Sequence, residues 1–148
     1  MRLETPASLR EEHADLHATL QRATREPDAL GEAARGVAKI MHSHVLREEQ
    51  FAMPLLGLLR EIVDGGPTRE HAKVTVMTDR LKEEMPLMLQ EHRLIVDALD
   101  QLLEAARKAD KVEYAEFAHK LIQHFRTEEE VLYPAAVLVG EYIRMRLV

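Results

Sequence analysis

The stretch His124-Phe-Arg-Thr-Glu128-Glu129-Glu-Val-Leu-Tyr-Pro134 decides how this chain folds, because the first half of the sequence contains its counterpart. That counterpart reads His44-Val-Leu-Arg-Glu48-Glu49-Gln-Phe-Ala-Met-Pro54. The His, both Glu and the Pro recur at one offset, since 124−44, 128−48, 129−49 and 134−54 are all 80. Upstream of each stretch lies a second matched piece, Glu12-His13 and Glu91-His92, at an offset of 79. A duplication of this kind predicts two equivalent halves built around the same polar side chains.

Composition and punctuation predict a chain made of helices. Helix formers such as Ala, Leu, Glu and Arg are abundant, whereas aromatic residues make up only 4% of the chain. Apolar residues recur at helical spacing in long segments separated by Glu26-Pro27-Asp28, by Asp64-Gly65-Gly66-Pro67 and by a turn near Asp110. We therefore predict an all-α protein, an antiparallel four-helix bundle built from two pseudo-repeated helical hairpins. Its 148 residues fit a single domain, 1–148, with repeat halves at about 6–64 and 68–146.

Three prolines fall inside these helical segments. Pro54 and Pro134 hold matching places, so the second helix of each half is predicted to bend ten residues beyond its His. Pro86 interrupts the third segment, and the sequence leaves open whether it kinks one helix or separates two. Tyr133 lies nine residues beyond His124, about 180° around a regular helix, and is not predicted to be a ligand.

Charge and composition exclude several classes of function. The net charge is −6, and the Lys and Arg residues are scattered among acids, so we expect no nucleic-acid partner. The absence of cysteine excludes disulfides, thiolate metal sites and thiol catalysis. The N-terminus lacks the apolar core of a signal peptide, and no apolar run approaches the roughly 18 residues of a membrane span. We expect a cytoplasmic protein without a membrane partner, and the sequence leaves the oligomeric state open.

The repeated residues have the spacing of metal ligands. Residues four apart in an α-helix lie about 40° apart around the axis and about 6 Å apart along it, so each His-x-x-x-Glu pair shares a face. One such pair is common on a solvated helix, but two in equivalent places, each with a Glu-His on a partner helix, indicate a buried metal centre. Imidazoles and carboxylates suit iron, manganese or zinc. The predicted ligands are His13, His44, Glu48, His92, His124 and Glu128.

On these motifs the chain resembles the hemerythrin-like (HHE cation-binding) family from Leu9 to about Val139. The resemblance implies a hemerythrin-like bundle that holds an oxo- or hydroxo-bridged pair of Fe ions, with Glu48 and Glu128 as bridges. It also implies that His13 and His44 serve one iron and that His92 and His124 serve the other. Manganese and zinc are the alternative metals.

The sequence departs from the oxygen-carrying hemerythrins, which have five His, a His-x-x-x-His on the third helix and an Asp five residues beyond the last His. Here Val96 stands four residues after His92, which weakens the inference of reversible oxygen carriage. Our hypothesis is that His17, four residues after His13, is a fifth imidazole ligand. The alternative is that His17 supports the site from outside or faces solvent.

Several nearby polar residues have no clear assignment from the sequence. Glu12, Glu49, Glu91 and Glu129 either support ligands from outside or face solvent. By their helical positions, His42, His71 and His119 are not predicted to be ligands.

The predicted function is that of a non-heme di-iron protein whose partner is a small diatomic gas or peroxide. It would bind or react with oxygen, nitric oxide or peroxide at a four-His/two-Glu centre. Whether it is an enzyme stays open, but any catalysis, such as peroxide decomposition, would be metal-centred, because no other catalytic arrangement accompanies the cluster. The alternatives are an iron- or oxygen-responsive sensing or storage module without catalysis, and a metal-free helical interaction bundle.

Overall fold

The computed structural model describes residues 1–147, which form helices joined by short turns, with no strand among them. Four α-helices precede the midpoint of the chain: α1 (Ala7–Thr24), α2 (Asp28–Phe51), α3 (Met53–Leu56) and α4 (Leu59–Gly65). A 3-10 helix (Arg69–Val74) leads into α5 (Thr75–Lys108) and α6 (Val112–Thr127), and a π-helical turn (Glu128–Leu132) joins α6 to α7 (Tyr133–Leu147). The prediction of an all-α chain is confirmed.

The long helices surround a common interior. Helix α2 packs against α1 and α5, and α6 packs against α5 and α1, so these four helices close a ring. Helix α7 continues beyond α6 and packs against α5 and α3. This arrangement is consistent with a hemerythrin-like helical bundle.

Two apolar clusters fill the interior and leave a polar layer between them. The first cluster includes Leu20, Val37, Leu99 and Leu121. The second includes Phe51, Leu81, Met88, Tyr133 and Ile143. The buried His44 and Glu48 separate the first cluster from the second along α2, and His92 separates the second from the first along α5. The apolar clusters therefore hold the polar side chains at one level of the bundle.

The prolines interrupt the helices at matching places in the two halves, but in different ways. Helix α2 ends at Phe51, Ala52 adopts φ −115° and ψ −68°, and α3 begins one residue before Pro54. In the second half a π-helical turn precedes Pro134. Proline has no N–H to donate to the helical ladder, which is the physical reason for an irregularity at both places.

The irregularities predicted at Pro54 and Pro134 thus take the form of a helix end at Phe51 and of a π-helical turn at Glu128–Leu132. Pro86, by contrast, lies inside α5, which is a single helix from Thr75 to Lys108. Within residues 1–147, none of the helices combines the length and the apolar character needed to cross a membrane.

Candidate metal centre

The six side chains predicted as metal ligands converge between the two apolar clusters, and their donor atoms fall into two groups. Within each group the atoms lie within 4.8 Å of one another. The inner group consists of His44, Glu48, His92 and Glu128, all of them buried. The outer group consists of His13, His124 and Glu128, of which only His13 is partly exposed.

In the inner group, two imidazole nitrogens from different helices face each other. Nε2 of His44 on α2 lies 2.9 Å from Nε2 of His92 on α5. The same His44 nitrogen lies 2.8 Å from Oε1 of Glu48, one turn further along α2. Nε2 of His92 lies 3.0 Å from Oε1 of Glu128 and 4.0 Å from Oε1 of Glu48. Two nitrogens and two carboxylates therefore point at one small volume.

In the outer group, α1 and α6 supply the imidazoles. Nε2 of His13 lies 3.2 Å from Nε2 of His124. Oε2 of Glu128 lies 3.0 Å from the His124 nitrogen and 3.9 Å from the His13 nitrogen. The two imidazole rings are nearly perpendicular, with an interplanar angle of 77°, so their nitrogens converge without the rings stacking.

Glu128 belongs to both groups. Its Oε1 faces His92 at 3.0 Å and its Oε2 faces His124 at 3.0 Å, and the residue is fully buried. Glu48 is a member of the inner group alone. Of the two carboxylates expected as bridges, the described structure places only Glu128 between the groups.

The pairing of histidines implied by the family resemblance differs from the pairing in the structure. The resemblance paired His13 with His44 and His92 with His124, whereas the structure pairs His44 with His92 and His13 with His124. Both pairings join helices that pack against each other, since α2 and α6 each pack against α1 and α5. The pairing therefore depends on which faces of the packed helices carry the imidazoles, and the spacing within one helix does not determine this.

The imidazoles and carboxylates of the cluster shift one another's pKa values. Burial lowers the pKa of His44, but hydrogen bonds with Glu128 and Glu48 outweigh burial and raise it to about 10. Burial also opposes a charge on His124, yet Glu128 and Glu12 raise its pKa to about 9. The pKa of Glu128 falls well below its usual value, because the three imidazoles around it outweigh the effect of burial. Without a cation, protons hold these groups together, and a bound cation would displace them.

Two further carboxylates contact imidazoles of the cluster on the side away from its centre. Nδ1 of His44 donates a hydrogen bond to Oε1 of Glu91 at 3.2 Å, and Glu91 also pairs with the guanidinium of Arg47. Nδ1 of His124 makes the equivalent contact with Glu12. In each case the Glu belongs to a Glu-His pair on one helix and contacts the His of a His-x-x-x-Glu pair on another helix. This contact fixes the ring orientation and leaves Nε2 facing the centre, which settles the sequence's ambiguity for Glu12 and Glu91.

The third buried imidazole lacks such support. Nδ1 of His92 has no hydrogen-bond partner among the described residues. The nearest carboxylate oxygen, Oε1 of Glu129, lies 3.4 Å away on a partly exposed side chain but is not aligned for a hydrogen bond. His92 is held instead by stacking on Phe125, with ring centroids 4.2 Å apart.

Tyr133 is the residue of this site that the sequence analysis missed. It is fully buried, and its hydroxyl lies 2.5 Å from Oε1 of Glu48 and 3.2 Å from Nε2 of His92. A regular helix would turn it away, but the N–H of Tyr133 bonds to the carbonyl of Glu128, five residues earlier. An i→i+5 turn places Tyr133 one turn beyond Glu128 on the same face. Pro134, which cannot continue the regular ladder, was the signal in the sequence.

The structure does not bring His17 into either group. His17 is exposed and lines a cavity, so the structure gives it no place among the converging donors. His42 and His119 are exposed as well. His71 is buried, but it caps the 3-10 helix through Thr68 and contacts Glu61 at 3.0 Å, away from the cluster.

A cavity of about 480 Å³ borders both groups. It is lined by His13, His124 and Glu128 of the outer group and by His44 and Glu48 of the inner group, and residues such as Arg10 and His17 also border it. Between them its walls are mainly apolar, formed by side chains such as Leu16, Leu20, Met41, Val45, Phe117 and Leu121. The donor atoms of the cluster therefore border a mainly apolar cavity.

The donor set fits hard or borderline cations. Four imidazoles and two carboxylates, without thiolates, match iron, manganese or zinc. Burial of so many ionisable groups is costly unless each is paired or coordinates a metal. The site therefore has the composition and the desolvation of a metal centre.

A buried cluster of imidazoles and carboxylates inside a helical bundle is typical of helical proteins that bind cations. In line with this, the family model of the hemerythrin HHE cation binding domain matches residues 5–136. The chain belongs to this family, and the resemblance inferred from the motifs is confirmed. Comparisons with curated proteins and with solved structures found no match.

Proposed function

We propose that this protein is a non-heme di-iron protein that binds or reacts with oxygen, nitric oxide or peroxide. One cation would lie in the inner group and one in the outer group, with Glu128 between them. The position of Glu128 carries the proposal, because each of its two oxygens lies 3.0 Å from an imidazole nitrogen of a different group. A carboxylate so placed can offset the charge of two neighbouring cations in a buried site.

The two groups differ in the number of their donors and in the burial of the side chains that carry them. The inner group has four donors, all on buried side chains, whereas the outer group has three, one of them on the partly exposed His13. When bound, an iron pair supplies reversible gas binding or a two-electron exchange with peroxide. The residues of the chain hold the donors in place, surround the cavity with mainly apolar walls and leave the cluster open to a small molecule within that cavity.

We also infer that the bundle is antiparallel and pseudo-repeated. The connections α1–α2 and α5–α6 span only three residues each, at 25–27 and 109–111, and such short connections favour antiparallel neighbours. The apolar clusters support this inference, because α2 runs from the first cluster to the second and α5 runs from the second to the first.

Iron content per chain tests the metal site. We expect two irons per chain after anaerobic loading with ferrous iron, and a marked loss in His44→Ala and in His124→Ala. His119→Ala is the matched control, since His119 is an exposed histidine on the same helix as His124. Full iron stoichiometry in both ligand variants would show that the cations bind elsewhere.

The reaction is tested on the iron-loaded protein. Reversible spectral changes on cycling oxygen or nitric oxide would indicate binding, and oxygen evolution from hydrogen peroxide would indicate catalysis. A sensing or storage role would show instead as a melting temperature that depends strongly on iron, without turnover. If the loaded protein gave no response to oxygen, nitric oxide or peroxide, the proposed reactivity would be wrong even though the metal site stood.

A further inference from the structure

We propose that the hydroxyl of Tyr133 is a fifth protein ligand of the inner cation, in addition to His44, Glu48, His92 and Glu128. This inference rests on the proposed di-iron function and assigns a protein ligand that the family resemblance does not supply. It concerns one oxygen atom in the most buried part of the site.

The position of this oxygen carries the inference. Oη of Tyr133 lies 2.5 Å from Oε1 of Glu48 and 3.3 Å from Oε1 of Glu128. It lies 3.2 Å from Nε2 of His92 and 3.5 Å from Nε2 of His44. The hydroxyl thus contacts a donor atom of every member of the inner group.

These distances match the edges of a coordination shell. Two ligand atoms at right angles, each about 2.1 Å from one cation, are separated by about 3.0 Å. The separations from Oη range from 2.5 to 3.5 Å, and the inner-group contacts of His44 are 2.8 and 2.9 Å. A phenol that only filled space or bonded to one carboxylate would not need to approach all four donors at this spacing.

The fold holds Tyr133 there through two features of the backbone. The π-helical turn brings Tyr133 onto the face of Glu128. Beyond it, α7 approaches α5 so closely at Gly140 that a Cβ there would lie 1.7 Å from Oγ1 of Thr78. Helix α7, which begins at Tyr133, is therefore packed tightly against α5.

The two halves of the chain differ at the position of Tyr133, and this difference would make the inner cation site unlike the outer one. The residue equivalent to Tyr133 in the first half, 80 positions earlier, is Met53, which is buried in the second apolar cluster. Only the second half supplies a phenol, so the inner group gains a fifth donor while the outer group keeps three. The outer cation would therefore have fewer protein donors than the inner one. Coordination of Tyr133 releases its proton to solvent, as for other ligands that must lose a proton to bind.

The ferric, iron-loaded full-length protein provides the test, because a tyrosinate bound to ferric iron gives a visible charge-transfer band and tyrosine ring modes in its resonance Raman spectrum. We expect both in the wild type and their loss in Tyr133→Phe, with two irons per chain retained. Tyr114→Phe is the matched control, since Tyr114 is also buried and donates a hydrogen bond to a carboxylate, that of Glu26, at 3.2 Å. It should keep the wild-type spectrum.

A second measurement covers the case in which Tyr133→Phe loses iron or fails to fold. Wild-type protein grown with ring-deuterated tyrosine should show shifted Raman modes under the visible band. Two bound irons without such a shift, or a Tyr133→Phe protein with the wild-type visible spectrum, would overturn the ligand assignment and leave the di-iron proposal standing. A wild-type protein that binds no iron would overturn both.

Discussion

Oε1 of Glu91 on α5 accepts a hydrogen bond from Nδ1 of His44 on α2 at 3.2 Å, and the same carboxylate pairs with Arg47. The neighbour of Glu91 in sequence, His92, faces His44 from the other side at 2.9 Å. Two consecutive residues of α5 thus contact the two nitrogens of the His44 imidazole. Glu91 accepts the hydrogen bond from Nδ1, and His92 faces Nε2 as another member of the inner group.

Removal of this orienting carboxylate should weaken metal binding without removing a ligand. We expect Glu91→Ala to lower the affinity for iron about 10- to 100-fold, because the orientation and basicity of His44 depend on its outer hydrogen bond. Titration with ferrous iron under anaerobic conditions measures the affinity. Glu83→Ala, an exposed Glu on the same helix, is the control and should bind as the wild type does. Equal affinities in the two variants would contradict an orienting role for Glu91.

The two carboxylates of the site should differ in their effect on stoichiometry. Glu128 is shared by both groups, whereas Glu48 belongs to the inner one. We expect Glu128→Ala to retain less than one iron per chain and Glu48→Ala to retain one, in the outer group. Metal analysis of both variants after identical loading gives the comparison, with circular dichroism to establish that each remains helical. Two irons in Glu128→Ala would argue against a shared carboxylate.

The sequence predicted the convergence of the six side chains because regular helices govern most of it. A spacing of four residues places His44 and Glu48 on one face of a helix, and the same holds for His124 and Glu128. In the structure the two side chains of each pair are in contact. The features that the sequence did not predict depend on packing between helices. The pairing of the histidines and the acceptor roles of Glu12 and Glu91 are both set by contacts across helices.

Tyr133 shows where the regular-helix assumption fails. The 180° separation from His124 excluded it, but a π-helical turn adds a residue to one turn and rotates the rest of the helix about its axis. The repeat did not indicate a role for Tyr133. At the equivalent place in the first half, the helix is interrupted at Ala52 and the residue equivalent to Tyr133 is the apolar Met53. A prediction based on helical periodicity thus misplaced Tyr133 because the turn before Pro134 is irregular.

The close approach of α7 to α5 should make one glycine much less tolerant than another. A Cβ at Gly140 would lie 1.7 Å from Oγ1 of Thr78, whereas at Gly36 on α2 it would meet nothing within 4 Å. We expect Gly140→Ala to lower the free energy of unfolding by about 1–3 kcal/mol through overpacking. Gly36→Ala should raise it by about 0.4–1 kcal/mol, because alanine loses less entropy in a helix. Urea denaturation of both variants measures the difference, and equal effects would show that α7 is free to shift.

The metal-free protein should lose stability as the pH rises. A histidine whose pKa is raised on folding stabilises the folded state fully below its ordinary value of 6.5, and this contribution disappears as the pH passes the folded value. That folded pKa is about 9 for His124 and about 10 for His44. The lowered pKa of Glu128 acts in the opposite sense: its contribution is present above the ordinary 4.5 and is lost in acid.

We therefore expect the urea midpoint of the chelator-treated protein to be highest between about pH 4.5 and about pH 6.5 and to fall toward about pH 9. Iron-loaded protein is the comparison. A cation takes the place of the shared protons, so its binding should strengthen as the pH rises over this range and the alkaline loss should be reduced. A metal-free midpoint that rose between about pH 6 and about pH 9 would contradict the proton-bridged cluster.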